Sequence, residues 1–474
     1  MNQFLRTLVE IVFFFCLTSD FALAHSSWSR VIVTVRNPPE VLISIQLTEP
    51  VNNWSFRNAY AGALGLADRV QKFQATGSGE KVSVRTLANG EFSSATPVDR
   101  VSYIVDLSTG SNADLPHVSW FANEYAVLML ADLLPISPEA KRGVTVEFDL
   151  PAEWQVYSSL STTGKSFVVD DSEKTVFIIG RSLRLASRKE GAVELRLITQ
   201  GNWKFSDKEL LPAGLNILQD YQELTGFKLR FAPTIFVAPF PGAGATSKWK
   251  AETRGSTSTV LLNPEDSKKN SRAKLAIILT HELFHFWVPN SLSLTGDYDW
   301  FFEGFTSYVA LQEALKSKLI RFEEYLKTLG RVYDSNLSVT DDWSLLEASE
   351  RRWTSSPAAV YDKGMLVAFI YDLITRRESD GAQSLANRYR ALFARYADKP
   401  AIANEAIIGT LTGSPATSDF AKSYIESRNR IELEKILPAF GIEVDRSASR
   451  SELRVSKELR DDQKKLLRSL GYRK

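Results

Sequence analysis

Two histidines and a glutamate set the first constraint on what this chain can do: His281-Glu282-Leu283-Phe284-His285. On a helix, side chains at i and i+4 lie one above the other, so His281 and His285 can reach one ion while Glu282 stands beside it. That spacing is the ligand layout of a catalytic zinc site. The 474 residues contain only four histidines, His25, His117, His281 and His285. With so few, a chance HExxH is expected in roughly one such chain in 500. The competing reading is a pair of helix-face histidines that packs or solvates without chemistry.

Several elements must position these groups. Lys274 to Val288 reads as one buried helix, since Leu275, Ile277, Ile278, Leu279, Leu283, Phe284, Phe286 and Trp287 leave little polar surface. Pro289 ends it. In so apolar a helix an uncompensated polar pair costs roughly several kcal/mol, and a metal is the partner that suits both imidazoles. A third ligand and an open position are then required. Glu303 is the candidate, in the apolar run Trp300-Phe301-Phe302-Glu303-Gly304-Phe305, which continues through Val309, Ala310 and Leu311 as a second helix antiparallel to the first. Pro289 to Tyr298, rich in Asn, Ser, Gly and Asp, is the turn between them. Thr306 or Asp299 would orient the imidazoles from behind. A third long apolar segment, Tyr361 to Ile374, reads as a helix with Tyr361 at its start.

HELFHFW, WFFEGFTSY and YDKG together resemble the glycyl aminopeptidase-like (M61) family of zinc peptidases and, more distantly, the M1 aminopeptidases. The resemblance implies Zn2+ held by His281, His285 and Glu303, Glu282 as the base, and Tyr361 as hydrogen-bond donor to the oxyanion. It also implies a thermolysin-like catalytic domain. Family members carry a GGxEH-like segment with Ser-Thr after it, whose glutamate grips the substrate amine. In this chain Trp249-Lys250-Ala251-Glu252-Thr253-Arg254-Gly255-Ser256-Thr257 keeps the acid and the Ser-Thr pair but lacks the glycines and the histidine. Glu252 is therefore the candidate amine anchor, and an exposed loop glutamate is the alternative. Trp287-Val288-Pro289-Asn290 departs from the family's Trp-Asn and basic stretch, and no PDZ segment is expected to follow, so a narrow glycine or alanine preference does not carry over. The specific likeness runs from about Trp249 to Leu373. The function it implies is aminopeptidase action on peptides or proteins with a free N-terminus. A zinc endopeptidase and a non-catalytic peptide-binding protein remain as alternatives.

Composition excludes other classes. Lys and Arg number 57 against 56 Asp and Glu, a net charge of +1, with the basic residues dispersed; no field favours nucleic acid. Arg6, the apolar stretch Ile11 to Leu17 and Ala22-Leu23-Ala24 read as a signal peptide over residues 1–24, with a membrane anchor as the alternative. Cleavage there removes Cys16, the sole cysteine, and with it disulfides and thiol catalysis. The expectation is export to a bacterial periplasm or the extracellular space, with no stable membrane insertion afterwards. Oligomeric state is not specified by the sequence.

The length implies a multidomain α+β protein. Residues 25–204 carry alternating β-branched and aromatic runs, among them Arg30 to Val35, Val41 to Leu47 and Val193 to Leu197, and read as an antiparallel β-domain. His117, after Pro116, reads as a structural or neutral loop residue. Residues 205–399 are expected to form the mainly helical catalytic domain. Short strands are expected at Phe227 to Phe231, Thr234 to Ala238 and Thr257 to Leu262, the last along a cleft edge. Gly242-Ala243-Gly244 is a loop without phosphate-binding chemistry. Residues 400–474 read as a helical cap or support.

Overall fold

The computed structural model describes residues 28–473 apart from 109–114, 116, 123, 137–142, 164–165, 192, 242–248, 340–341, 354–356 and 447–449. The expected leader and the Gly242-Ala243-Gly244 loop lie outside the described residues.

The first region is β-rich, as its alternation requires. Val31, Val33 and Val35 are fully buried while Arg30 faces solvent, the period-two pattern of a strand with one wet face. Trp28–Val35 lies at the centre of a nine-stranded sheet, antiparallel to Glu40–Ser55 and parallel to Val144–Asp149. The sheet is thus antiparallel apart from that one pairing, which joins strands distant in sequence. A four-stranded sheet includes the fully buried strands Tyr125–Met129 and Val176–Gly180. Phe177 and Ile179 join the core of the larger sheet, with Phe148, Phe167 and Phe177 meeting edge to face.

A third sheet runs in the order Arg184–Glu190, Val193–Thr199, Thr234–Pro239, Thr257–Leu262, Lys250–Arg254. It corrects three expectations. Val193–Thr199 does not join the N-terminal strands but pairs in parallel with Thr234–Pro239 through the crossover helix Asp207–Thr225. Thr257–Leu262 is interior, buried on both faces like a parallel-sheet strand, so the cleft edge belongs to Lys250–Arg254 instead. Phe227 to Phe231 forms no strand: its segment leaves the helix through Gly226 at φ 65°, and the Phe227 carbonyl is taken by the indole N–H of Trp287 at 2.8 Å.

The helical region packs on this sheet around one hydrophobic core that runs from Leu195 to Leu470. Leu466, Leu467 and Leu470, on the terminal helix Asp461–Leu470, share that core with Leu275 and Leu279 of the motif helix. The C-terminal segment therefore belongs to the same core as the motif helix. Among the described residues no helix is long and apolar enough to cross a membrane.

Candidate metal centre

The motif helix spans Lys268–Glu282, six residues earlier at its start than the apolar pattern suggests, because Ser267 accepts the Asn270 N–H and caps it. Its last turn tightens to a 3₁₀ turn over Leu283–Phe286. Glu303 stands on a π-helical turn, Trp300–Phe305, that leads into the helix Thr306–Lys316. Tyr361 stands on a second π-helical turn, Ala359–Lys363, before Gly364–Glu378. Such turns recur at functional sites because they displace one residue from the helical register.

Glycine lets these two turns touch. A Cβ on Gly304 would lie 2.6 Å from Gly364 Cα and 2.7 Å from the Val360 carbonyl oxygen, and one on Gly364 would lie 2.8 Å from the Trp300 carbonyl oxygen. The glycines of EGF and YDKG are therefore one packing contact, and it brings the neighbours Glu303 and Tyr361 to the same place.

His281 Nε2 and His285 Nε2 are 3.1 Å apart, and Glu303 Oε2 lies 3.3 Å from the first and 3.6 Å from the second. Zinc with bonds of roughly 2.0–2.1 Å to tetrahedral ligands requires ligand separations of ~3.3 Å. Glu303 Oε2 is buried and accepts no hydrogen bond among the described residues. His285 Nδ1 lies 2.9 Å from the Val288 carbonyl and donates to it, which leaves the lone pair on Nε2, facing the triangle. This backbone carbonyl does the work expected of Thr306 or Asp299. Among the described residues Thr306 Oγ1 has no hydrogen-bond partner, and Asp299 pairs with Arg352 instead. The donors thus fit a zinc ion.

Charge follows the same geometry. Burial alone would raise the Glu303 carboxyl, but His285, His281 and Arg352 outweigh it and hold the group well below the usual carboxylate range. Glu282 is 5% exposed, and burial pushes its carboxyl up against the lowering pull of His281 and His285. Thr253 Oγ1 lies 2.9 Å from both Oε2 and the carbonyl of Glu282, tying the base position to the edge strand. Burial raises the Tyr361 phenol further, so it stays protonated at neutral pH.

Glu252 lies on the edge strand Lys250–Arg254, its side chain 16% exposed, so the exposed-loop alternative does not hold. Its carboxylate meets His117, which comes from the N-terminal region. His117 thus keeps its place in a loop, and the contact makes it structural, the first of the two readings its sequence offers. Arg254 donates to its carbonyl at 3.0 Å, and its ring stands edge-on to Trp353 at 6.0 Å. Burial, then the charges of Lys250, Arg254 and Arg352, hold His117 down to about 4.

Sequence reasoning also missed Arg352. It is 7% exposed, donates through Nη2 to Glu303 Oε1 and to Tyr361 Oη at 2.8 Å each, and pairs through Nη1 with Asp299. Its sequence setting, Glu350-Arg351-Arg352-Trp353, reads as a solvated charge run. The one available signal is the aromatic beside it.

Three ligand atoms at tetrahedral spacing, with a buried carboxylate and a phenol beside them, define a site of the zinc-peptidase type on a multidomain α+β fold. Comparisons with known proteins agree. An aminopeptidase N family protein from Idiomarina loihiensis superposes with a TM-score of 0.75 at 18% identity, over 88% of this chain and 79% of that one. An M1 zinc metallopeptidase from Deinococcus radiodurans superposes at 0.56 and 13% identity, over 86% and 96%. A mutant of the Deinococcus enzyme bound to a Tyr-Ser-Ala substrate gives 0.55 and 16%, over 85% and 94%. In sequence, the chain is 25% identical to bovine (Bos taurus) aminopeptidase N over 184 residues, 38% of this chain but only 18% of that protein. No family model matches. These likenesses show the M1 aminopeptidase fold, an N-terminal β-sheet region followed by a helical one. Of the two resemblances drawn from sequence they support the M1 one, and the M61 likeness is not shown by them.

Proposed function

We propose that this chain is a zinc-dependent aminopeptidase acting on peptides with a free N-terminus. The observation that carries the reading is the triangle of His281, His285 and Glu303 at zinc spacing with Glu282 beside it. When bound, zinc lowers the pKa of a water toward neutrality and polarises a carbonyl. Glu282, buried and raised in pKa, takes the proton of the attacking water and passes it to the leaving amine, a transfer worth roughly 10²–10⁴-fold. The protonated Tyr361 phenol donates to the carbonyl oxygen as it becomes negative. Glu252 receives the substrate ammonium on Lys250–Arg254, which ends its sheet among the described residues, so that an extended peptide could add to it as a further strand.

The thermolysin-like character of the catalytic unit and export through residues 1–24 belong to the same proposal. So does a division at 25–204, 205–399 and 400–474, with the hairpin Arg184 to Thr199 lent to the second unit's sheet.

Initial cleavage rates on matched free-amine and N-acetylated peptides, with zinc-loaded wild type and E282A, test it. Glu282-dependent cleavage confined to the free-amine set supports the aminopeptidase. Equal cleavage of both sets points to an endopeptidase. Active protein without stoichiometric metal would overturn the zinc assignment.

A further inference from the structure

Arg352 has an unusual set of partners for a residue that touches neither the proposed water nor the proposed metal. Its Nη2 carries two hydrogens and makes two bonds, one to Glu303 Oε1 and one to Tyr361 Oη, each at 2.8 Å. Glu303 turns its other oxygen, Oε2, to the two histidine nitrogens. One nitrogen therefore braces a proposed ligand carboxylate and the proposed oxyanion donor together. The guanidinium is itself immobilised by the ion pair with Asp299 and by stacking over Trp353 at 4.2 Å from the ring centroid.

The direction of these bonds matters. An Arg N–H donating into a phenol oxygen leaves the phenol's own proton to point elsewhere. Glu303 Oε1 and the phenol oxygen share the one Nη2 donor, so the buried carboxylate stands beside the phenol as the competing acceptor for its proton. Arg352 occupies Glu303 Oε1 and so competes for an acceptor the proton would otherwise take. A neutral side chain at position 352 would leave the buried carboxylate under-compensated and free the phenol to turn toward it.

Resting on the zinc-peptidase reading, we propose that Arg352 is a positioning residue of this site. It fixes the Glu303 carboxylate toward His281 and His285 and directs the Tyr361 proton to the oxygen that becomes negative in the reaction.

The test is a double-mutant cycle on the full zinc-loaded chain with R352Q, Y361F and R352Q/Y361F, and with R352K as the conservative variant. Partners standing behind a metal ligand typically set 10–100-fold in activity or metal affinity. R352Q is expected to lower kcat by roughly 10–100-fold with KM within about threefold of wild type, the pattern of a transition-state interaction. In the Y361F background the same change should cost less than about threefold further. R352K, which keeps the charge and can donate to both partners, should recover part of kcat. Chelator competition should show R352Q binding zinc about tenfold more weakly than wild type.

Full multiplication of the two kcat losses would show that Arg352 acts independently of Tyr361 and overturn the proposal. So would R352Q with unchanged zinc affinity. If wild type cleaves no peptide, the peptidase reading fails first, and the chelator measurement still decides whether Arg352 braces Glu303.

Discussion

His281, His285 and Glu303 come from two helical segments joined by the stretch Trp287 to Asp299, whereas Glu252, on an edge strand, meets His117 in a turn of the N-terminal region. The first group is held by helical periodicity, by a backbone carbonyl and by a glycine-to-glycine crossing, all within residues 268–364. The second depends on an edge strand meeting a segment 137 residues earlier in sequence, as in the Arg254 to His117 bond. The proposed metal centre is thus written into segments close in sequence, while the proposed reading of the substrate's end depends on how the two regions dock.

The sharpest way to break this contrast is E282Q, which should lower kcat by roughly 10²–10⁴-fold while metal content, read by mass spectrometry, stays stoichiometric. Loss of zinc in that variant would mean that Glu282 serves the metal centre structurally. The glycine crossing should be nearly as sensitive. G304A forces a Cβ to within 2.6 Å of backbone and is expected to cost about 1–3 kcal/mol in unfolding free energy by urea titration, with weakened zinc binding. A variant with unchanged stability would remove the crossing from the account.

On the recognition side the effects should be smaller and selective. E252Q should reduce kcat/KM for free-amine peptides by roughly 10–100-fold, the worth of one charge-assisted bond, and leave zinc content untouched. An equal loss on N-acetylated peptides would show that Glu252 does not read the amine.

The last effect concerns His117. Its folded-state pKa of about 4 lies below the ordinary 6.5, so between those values the unfolded chain binds the extra proton. Stability from this group is therefore present above about pH 6.5 and lost as pH falls toward 4. H117N has no such titration, so relative to wild type it should gain about 2 kcal/mol as pH falls from 7 to 4.5. Thermal melts at the two pH values check it, and parallel pH dependences would separate His117 from the docking of the two regions.

Residues differ in how far they could be read in advance. His281, Glu282 and His285 were legible because i and i+4 fall on one helical face whatever surrounds the helix. Glu303 and Tyr361 were legible from their apolar settings and motif neighbours, although the π turns that carry them were not. Glu252 was recognised as an acid of interest, but its strand was not, since Lys250-Ala251-Glu252-Thr253-Arg254 has no apolar alternation. Arg352 looked like one more of 57 basic residues, and His117 like a loop histidine after proline. Neither has local periodicity to betray it.

The sequence by itself determined the candidate ligands, the candidate base and an α+β chain with strands before helices, because these rest on short-range periodicity and residue chemistry. Only the tertiary structure decided which strand forms the cleft edge, that Arg352 joins Glu303 to Tyr361, and that His117 closes on Glu252. Those are contacts between segments whose meeting is set by sheet pairing and core packing, and no local pattern encodes them.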